Sequence, residues 1–211
     1  MICIIPARGG STRLPNKNVL QLDGLPVIAH VIRTAKDSNT FDQIIVSTDD
    51  SSIAETALMH GADILMRSEK TSGDVSETSV LREVMSYYLS DTYCRLYPFA
   101  ALLTPERIIS TSQFIKAYDA VMECQVYGHP PQRAFTMHGY AQPQYAHMRT
   151  QEIPKLYHDA GTLRWFTPES LTIPLPMQRI KWCEVSEIEA QDVDTADDFE
   201  MLRAKYFWSK R

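Results

Sequence analysis

The first loop of the chain carries the residue types that bind phosphate groups. Two adjacent glycines, three cationic side chains and two hydroxyls fall within Ala7-Arg8-Gly9-Gly10-Ser11-Thr12-Arg13-Leu14-Pro15-Asn16-Lys17-Asn18. Adjacent glycines let the backbone turn sharply and present N–H groups to an anion, and Arg8, Arg13 and Lys17 add charge that pairs with phosphate oxygens. The loop lacks the Gly-Lys-Ser/Thr ending of the Walker pattern. We predict a phosphate-binding loop of another kind; the alternative is a glycine turn with solvated basic residues.

Two aspartates near the end of the sequence have a spacing that suits a metal ion. Asp192 and Asp194 are two residues apart, so on an extended segment their carboxylates project to the same side. Mg²⁺ is commonly bound by one or two carboxylates together with phosphate oxygens and water. The alternative is that both aspartates merely precede the last helix and favour its dipole.

An alternation of strands and helices must bring these groups together. Strands are predicted over 1–6, 43–48, 62–66, 93–97, 124–127, 132–137, 161–166 and 180–185, and helices over 26–36, 51–60, 79–89, 103–122 and 195–207. This alternation with short connections predicts a single α/β domain over 1–211 with a mainly parallel central sheet. Ligands bind beyond the carboxyl ends of such strands, so the loops at 8–18, 47–50 and 67–78 are expected to converge.

One stretch breaks the regular pattern. Residues 138–158 are rich in Tyr, Gln, His, Met and Arg without a clear period. Loops of this length are usually functional or disordered. We therefore expect a small excursion here, which serves as a substrate loop, a lid or a dimer-forming segment.

Composition limits the classes of partner. The 211 residues carry a net charge of −5, which argues against nucleic acid and against an anionic membrane surface as partners. The four cysteines form no metal-spaced pair, and those in apolar runs are expected to be buried free thiols. No signal peptide and no apolar run near the roughly 20 residues of a membrane-spanning helix is found. We expect a cytoplasmic protein.

Four segments resemble the cytidylyltransferases that activate acidic eight- and nine-carbon sugars, the family that includes the synthetases of CMP-sialate, CMP-pseudaminate and CMP-KDO. The segments are the first loop, Val46-Ser47-Thr48-Asp49-Asp50, Leu156-Tyr157-His158-Asp159-Ala160-Gly161 and Gln191-Asp192-Val193-Asp194-Thr195. They follow one another in the family's order and span nearly the whole chain. The third segment, with Pro131-Gln132-Arg133-Ala134 upstream, is similar to the pseudaminate branch.

The resemblance implies a fold, a reaction and a set of site residues. The implied fold is the Rossmann-like fold of nucleotide-diphospho-sugar transferases. The implied reaction is the Mg²⁺-dependent transfer of CMP from CTP to a nonulosonic acid, with release of pyrophosphate. The implied assembly is a homodimer. The implied catalytic residues are Arg8, Arg13, Lys17 and Asp194, and the implied metal ligands are Asp192 and Asp194. The implied CTP-binding residues are Ala7, Arg8, Gly9, Gly10, Ser11, Thr12, Asn18, Arg67, Ser76 and Thr78. The implied sugar-binding residues are Gln132, Arg133, His158, Asp159 and Arg164.

Two of these assignments have simpler alternatives. The segment from Arg67 to Thr78 resembles a loop that contacts cytosine, but a solvated polar loop has the same composition. His158 and Asp159 either orient hydroxyls of the sugar or hold their own loop in place. An arginine such as Arg164 suits the carboxylate of a sugar acid, because a guanidinium pairs with it through two hydrogen bonds.

The chain also departs from the family pattern. Thr12 stands where most sialate and pseudaminate enzymes have Lys, and the Ser11–Pro15 version is similar to the KDO branch. Phe99-Ala100-Ala101 replaces a hydroxyl-bearing segment, and Thr71 and Gly73 depart from the base loop. The alternatives are therefore a CMP-KDO or CMP-sialate synthetase, another nucleotide-sugar pyrophosphorylase, or a nucleotide-binding relative that has lost catalysis. We favour a pseudaminate-like acceptor because the later segments would face the sugar.

Overall fold

A seven-stranded sheet forms the centre of the molecule in the computed structural model, which describes residues 1–211. The strands are β1 (Ile2–Pro6), β2 (Gln21–Leu22), β3 (Leu25–Pro26), β4 (Gln43–Thr48), β5 (Asp63–Met66), β6 (Tyr93–Leu96), β7 (Ala120–Val126), β8 (Phe135–Thr136), β9 (Gly139–Tyr140), β10 (Tyr157–Phe166) and β11 (Ile180–Glu184). The helices are α1 (Val27–Asp37), α2 (Ser51–Met59), α3 (Glu77–Tyr87), α4 (Pro105–Ser112) and α5 (Ala196–Trp208). None of these helices is both long enough and apolar enough to cross a membrane.

The order of the strands in the sheet is β11-β7-β10-β6-β1-β4-β5. Neighbours pair in parallel except β10, which runs antiparallel to both β6 and β7. The N-terminal strand β1 lies in the middle because its apolar side chains are buried on both faces, as expected for a parallel strand. The predicted α/β fold with a mainly parallel sheet is confirmed.

Two helical layers cover the sheet. On one face, α1, α2 and α4 pack on the side chains that include Cys3, Ile5, Val46 and Leu96. On the other face, α3 packs on Ile2, Ile4, Ile45, Tyr93 and Phe166. The alternation of side chains along each strand assigns every strand residue to one of these faces. Cys3 and Cys94 are buried free thiols, as the sequence predicted.

Two sequence predictions about elements are wrong. The helix predicted over 103–122 ends at Ser112, and strand β7 begins at Ala120. Residues 120–126 are extended because they pair with β10 on one side and with β11 on the other. The strand predicted over 132–137 is a single 3₁₀ turn at Pro131–Arg133 followed by two strand residues. Pro131, directly before the predicted strand, begins the turn, because proline has a fixed φ that suits a turn and no backbone N–H to donate to a sheet.

The irregular excursion is confirmed with other bounds. It was predicted over 138–158, and in the structure it occupies 127–156, between β7 and β10. It contains the small hairpin of β8 and β9 and three 3₁₀ turns. Tyr157 and His158 belong to β10 because they pair with Val126 and Gln125.

Candidate functional site

A cavity of about 310 Å³ opens at the carboxyl ends of β1 and β6. Its wall combines residues from the first loop, from the segment before α3, from the end of β6 and from the segment before α5. These residues include Arg8, Lys17, Asn18, Arg67, Gly73, Asp74, Glu77, Tyr97, Phe99, Asp192 and Asp194. The structure therefore brings together six of the residues that the sequence singled out: Arg8, Lys17, Asn18, Arg67, Asp192 and Asp194.

Each cation of the first loop contacts a carboxylate. Nη1 of Arg8 lies 2.5 Å from Oδ1 of Asp74. Nη2 of Arg13 lies 2.9 Å from Oδ2 of Asp194, and Nζ of Lys17 lies 3.3 Å from Oδ1 of the same residue. Lys17 also donates to the backbone oxygen of Val193 at 3.0 Å. The cationic groups are thus held at the mouth of the cavity, where a more highly charged anion can compete for them.

The ammonium group of Lys17 lies over the face of an aromatic ring. Nζ lies 4.5 Å from the centre of the Phe99 ring, which in turn stacks on Tyr97 with ring centres 5.4 Å apart. The Lys17 side chain is only 15% exposed, and a cation over an aromatic face is stabilised more when it is poorly hydrated. Phe99, one of the departures from the family pattern, therefore fixes the position of the lysine.

Asp49 joins the first loop to the segment before α3. Its Oδ1 accepts from the backbone N–H of Gly9 at 2.8 Å, and its Oδ2 accepts from that of Gly73 at 2.8 Å. Burial raises the pKa of Asp49, but the hydrogen bonds from Gly73 and Gly9 and the charge of Arg67 outweigh it, so the pKa lies below its ordinary value. The N–H of Gly9, which we expected to face an anion, is directed at this carboxylate.

The neighbouring Asp50 has a structural role. Its carboxylate accepts from Ser52 N at 2.8 Å and Ile53 N at 3.0 Å and so caps α2. A Cβ atom at Gly9 would lie 2.5 Å from the Asp50 carboxylate, which explains the glycine at this position. Asp49 itself was not predicted as a site residue; its signals were its place at the end of a buried strand and within the Val46–Asp50 segment that resembles the family.

The Asp192–Asp194 pair faces the cavity and does not cap α5. That helix is capped by Thr195 and Asp198, whose side chains form a capping box. Partial loss of hydration and the charge of Asp194 raise the pKa of Asp192, although part of the residue stays open to solvent. Within the protein, no group of three or more His, Cys, Asp or Glu side chains is placed to hold a metal ion. A Mg²⁺ ion here would have two carboxylates and would complete its shell with substrate oxygens and water, which is the usual arrangement.

Of four further residues expected to bind the nucleotide, two line the cavity and two do not. Arg67 is anchored to β4, where its Nε donates to Ser47 Oγ and its Nη2 to Ser47 O, each at 3.2 Å, and burial lowers its pKa. Asn18 is 2% exposed and donates to Arg8 O at 2.9 Å, while its Oδ1 has no hydrogen-bond partner. Ser76 is the N-cap of α3 and Thr78 lies in its first turn, and neither lines the cavity.

The small residues of the first loop surround these groups. Ala7 is fully buried and its N–H donates to Ser47 O at 2.9 Å. Gly10, Ser11 and Thr12 lie toward solvent at the outer edge of the loop. No atom lies within 4 Å of a Cβ built on Gly10, so this position is open to an incoming group.

The residues expected at the sugar lie in three places. Gln132 donates to Pro154 O at 2.6 Å, and Arg133 donates to Thr150 Oγ1 at 3.2 Å and contacts Met148 O, so both hold the excursion together and lie outside the first cavity. His158 and Asp159 line a second cavity of about 500 Å³ with Cys124, Tyr157, Trp182 and Glu184. Arg164 is buried in β10.

Arg95 is a further buried cation that the sequence reading missed. It is the direct partner of Arg164 across β6 and β10. Its only sequence signal was a charged residue inside an otherwise apolar strand, Tyr93-Cys94-Arg95-Leu96.

Comparison with known proteins shows the family of the chain and its fold. The family described as "Cytidylyltransferase" matches residues 2–183. The pseudaminic acid cytidylyltransferase of Campylobacter jejuni is 32% identical to the chain over 97% of its length and 95% of the relative. The N-acylneuraminate cytidylyltransferase of Streptococcus agalactiae is 31% identical over 94% of the chain and 51% of that relative. A solved CMP:2-keto-3-deoxy-manno-octonic acid synthetase complexed with CTP shares the fold, with a TM-score of 0.75 at 22% identity over 99% of this chain and 98% of that one.

Proposed function

Because the chain belongs to the cytidylyltransferase family, and is therefore a nucleotidyltransferase, we propose that it transfers CMP from CTP to a nonulosonic acid of the pseudaminate type and releases pyrophosphate. The observation that carries the proposal is the juxtaposition of two cations and a pair of carboxylates in the wall of one cavity, with a third cation, Arg13, in contact with Asp194. Arg8, Arg13 and Lys17 come from the first loop, and Asp192 and Asp194 come from the segment before α5.

The cations bind the triphosphate of CTP. A triphosphate carries about four negative charges and outcompetes the single carboxylates that now contact Arg8, Arg13 and Lys17. Asn18 and Arg67 line the same cavity and contact the nucleoside. Ser76 and Thr78 support this side through α3, and Ala7 to Thr12 form the backbone around the phosphates.

Asp192 and Asp194 would hold Mg²⁺, and that ion supplies charge stabilisation at the triphosphate when bound. The protein itself contributes the two carboxylates as metal ligands and holds cationic side chains beside Asp194. Lys17 and Arg13 contact Asp194 in the free protein. Lys17 and Arg13 are therefore already close to the place where phosphate oxygens would meet the bound metal ion.

The anomeric hydroxyl of the sugar attacks the α-phosphate in line, and charge develops on the phosphate oxygens beside Arg8 and Lys17. His158 and Asp159 line the second cavity, and Arg164 lies beneath the same face of the sheet, so these residues are proposed to receive the sugar. Gln132 and Arg133 act from the excursion. The full-length similarity to a pseudaminic acid cytidylyltransferase and the His158–Gly161 segment favour pseudaminate over sialate and KDO.

We further propose that the enzyme works as a homodimer in the cytoplasm. The hairpin of the excursion exposes three large apolar side chains, Phe135, Met137 and Tyr140, each more than half exposed. Apolar side chains gathered on one projection favour burial against another protein surface. A second copy of the chain is the simplest partner for them.

The test is turnover with a panel of acceptors. Pseudaminate, N-acetylneuraminate and KDO are each incubated with CTP and Mg²⁺, and pyrophosphate and the CMP-sugar are measured. Reactions without sugar, with EDTA, and with UTP or ATP in place of CTP are the controls. We expect CTP-specific product with pseudaminate at the highest kcat/KM. Faster turnover of KDO would overturn the sugar assignment, and the absence of product with every acid would overturn the function.

A further inference from the structure

Two buried arginines face each other on neighbouring strands. Arg95 on β6 and Arg164 on β10 are direct partners in the antiparallel register, and they are 2% and 8% exposed. Each lies two residues from an aromatic side chain, Tyr93 or Phe166, that packs under α3. Both arginines therefore project to the α3 face of the sheet.

Their hydrogen-bonding capacity is only partly used within the protein. Nε and Nη1 of Arg95 and Nε of Arg164 are buried and have no hydrogen-bond partner. Nε of Arg95 lies 3.0 Å from Oε1 of Glu77, but the N–H group does not point at that oxygen. Nη2 of Arg164 donates to Oε1 of Gln178 at 3.1 Å. Buried, unpaired donors on charged groups are costly to a fold, so their presence requires an explanation.

The charge around the pair is also unbalanced. Two guanidinium groups share one contacting carboxylate, that of Glu77. Burial lowers the pKa of Arg164, and the charge of Arg95 lowers it further. The charge of Asp159 raises the pKa of Arg164, but the two residues form no ion pair, and Oδ1 of Asp159 accepts from the N–H of Gly161. One more carboxylate would neutralise the pair, and its two oxygens match the donor spacing of a guanidinium fork.

The pair lies between the two cavities. Tyr97, whose ring centre is 3.7 Å from Cζ of Arg95, and Glu77 both line the first cavity and are partly exposed. In the other direction, Arg164 is in register with Met122, and Met122 with Trp182, which lines the second cavity. The two arginines therefore lie beneath the part of the sheet that separates the two cavities, and neither is among the residues that line them.

We propose that Arg95 and Arg164 together bind the carboxylate of the acceptor sugar acid, with Gln178 holding Arg164 in place. The inference deepens the proposed function and rests on it for the chemical class of the acceptor. Binding the carboxylate here places the body of the sugar in the second cavity. Its anomeric carbon, which bears the carboxylate, then faces the first cavity, where the nucleotide is bound. The two arginines are specificity-determining residues for acids over neutral sugars.

The experiment compares acids with esters by direct binding. Pseudaminate, N-acetylneuraminate and KDO, and the C1 methyl ester of each, are titrated calorimetrically into the protein with CTP and EDTA, so that no turnover occurs. The variants are Arg95→Gln and Arg164→Gln, with Arg164→Lys as the variant that keeps the charge. Arg107→Gln is the matched control, because Arg107 is a partly buried arginine of α4 that pairs with Glu123 of β7.

We expect the wild-type protein to bind at least one acid roughly a hundredfold more tightly than its ester, in line with a charge-assisted bidentate contact. Both Gln variants should lose this preference, and Arg164→Lys should keep part of it. CTP affinity should stay within about twofold in every variant, and Arg107→Gln should keep the preference even if its Tm falls.

The proposal is overturned if no acid binds, if acid and ester bind alike, or if the Gln variants keep the preference. The acceptor panel separates these results from the proposed function. Normal turnover with an unchanged acid preference in the Gln variants refutes the arginine pair alone. Acid-selective binding that depends on both arginines, without turnover of any acid, refutes the function alone.

Discussion

The ammonium group of Lys17 lies 3.3 Å from the carboxylate of Asp194, a residue 177 positions further along the chain. Arg13 contacts the same carboxylate at 2.9 Å. One aspartate therefore connects the cationic loop at the beginning of the chain with the segment before its last helix. Losing its charge should affect both the cations and any bound metal ion.

The first prediction concerns this charge. Asp194→Asn keeps the shape of the side chain but removes a metal ligand and the partner of Lys17 and Arg13. We expect kcat to fall by about a hundredfold or more, because the loss acts on transition-state charge, with a Tm close to that of the wild type. Asp197→Asn, at an exposed aspartate of α5, is the control. Near-normal turnover at saturating Mg²⁺ would show that the Asp192–Asp194 pair has no catalytic role.

The second prediction is a pH dependence of stability. The folded-state pKa of Asp49 is lowered, so its carboxylate adds stability that is fully present above the unfolded value of about 3.9 and is lost as the pH falls through the folded value. Asp49→Asn should therefore lower the Tm at pH 6, and the difference from the wild type should shrink below about pH 4. Thermal unfolding from pH 6 to pH 3 measures this. The exposed Asp63→Asn is the control, and a difference that is constant with pH would contradict the prediction.

The third prediction tests the support of Lys17 by an aromatic ring. Phe99→Leu keeps an apolar side chain but removes the ring face under Nζ. A cation–π contact of about 0.5–2 kcal/mol corresponds to a roughly 2- to 30-fold loss of CTP affinity. Phe99→Tyr should restore binding, which calorimetric titration with CTP would show. In a Lys17→Met background the Phe99→Leu change should have little further effect; an equal loss there would mean that Phe99 acts through packing alone.

The fourth prediction concerns the departure at Thr12. Thr12→Lys adds an ammonium at an exposed position of the first loop. We expect tighter CTP binding, with a gain that falls as salt is raised, because the attraction to a polyanion is screened. Gln21→Lys, at an exposed position on β2, controls for the change in net charge. Unchanged or weaker CTP binding would show that the loop relies on Arg13 and Lys17 instead.

Local patterns in the sequence predicted the parts of the fold that depend on neighbouring residues. The first strand and the helices α1, α2 and α5 were found within one residue of their predicted bounds. The end of α4 was not, because β7 is specified by its pairing with β10 and β11, which lie far along the chain. Pairing between distant segments overrides local propensity.

At the site, too, local sequence patterns predicted some residues, and contacts between distant segments determine the others. Residues next to glycines or in a paired motif, such as Arg8, Lys17 and Asp192, were found from spacing and do lie together. Arg133 has the right chemistry, but its guanidinium is directed into the excursion by hydrogen bonds that no sequence pattern encodes. Arg95 was missed because a single charge in an apolar strand acquires a meaning only when its cross-strand neighbour is known.

The contact between Lys17 and Asp194 also has a consequence for the making of the protein. Synthesis proceeds from the N-terminus at about 5–20 residues per second, so the first loop leaves the ribosome long before Asp192 and Asp194. The central strand β1 must also wait for β4 and β6 before it is enclosed on both edges. A nascent chain that ends before Val193 lacks the carbonyl and the carboxylate that hold Lys17. The ability to bind CTP with metal should therefore appear abruptly, only when the last tenth of the chain has been released.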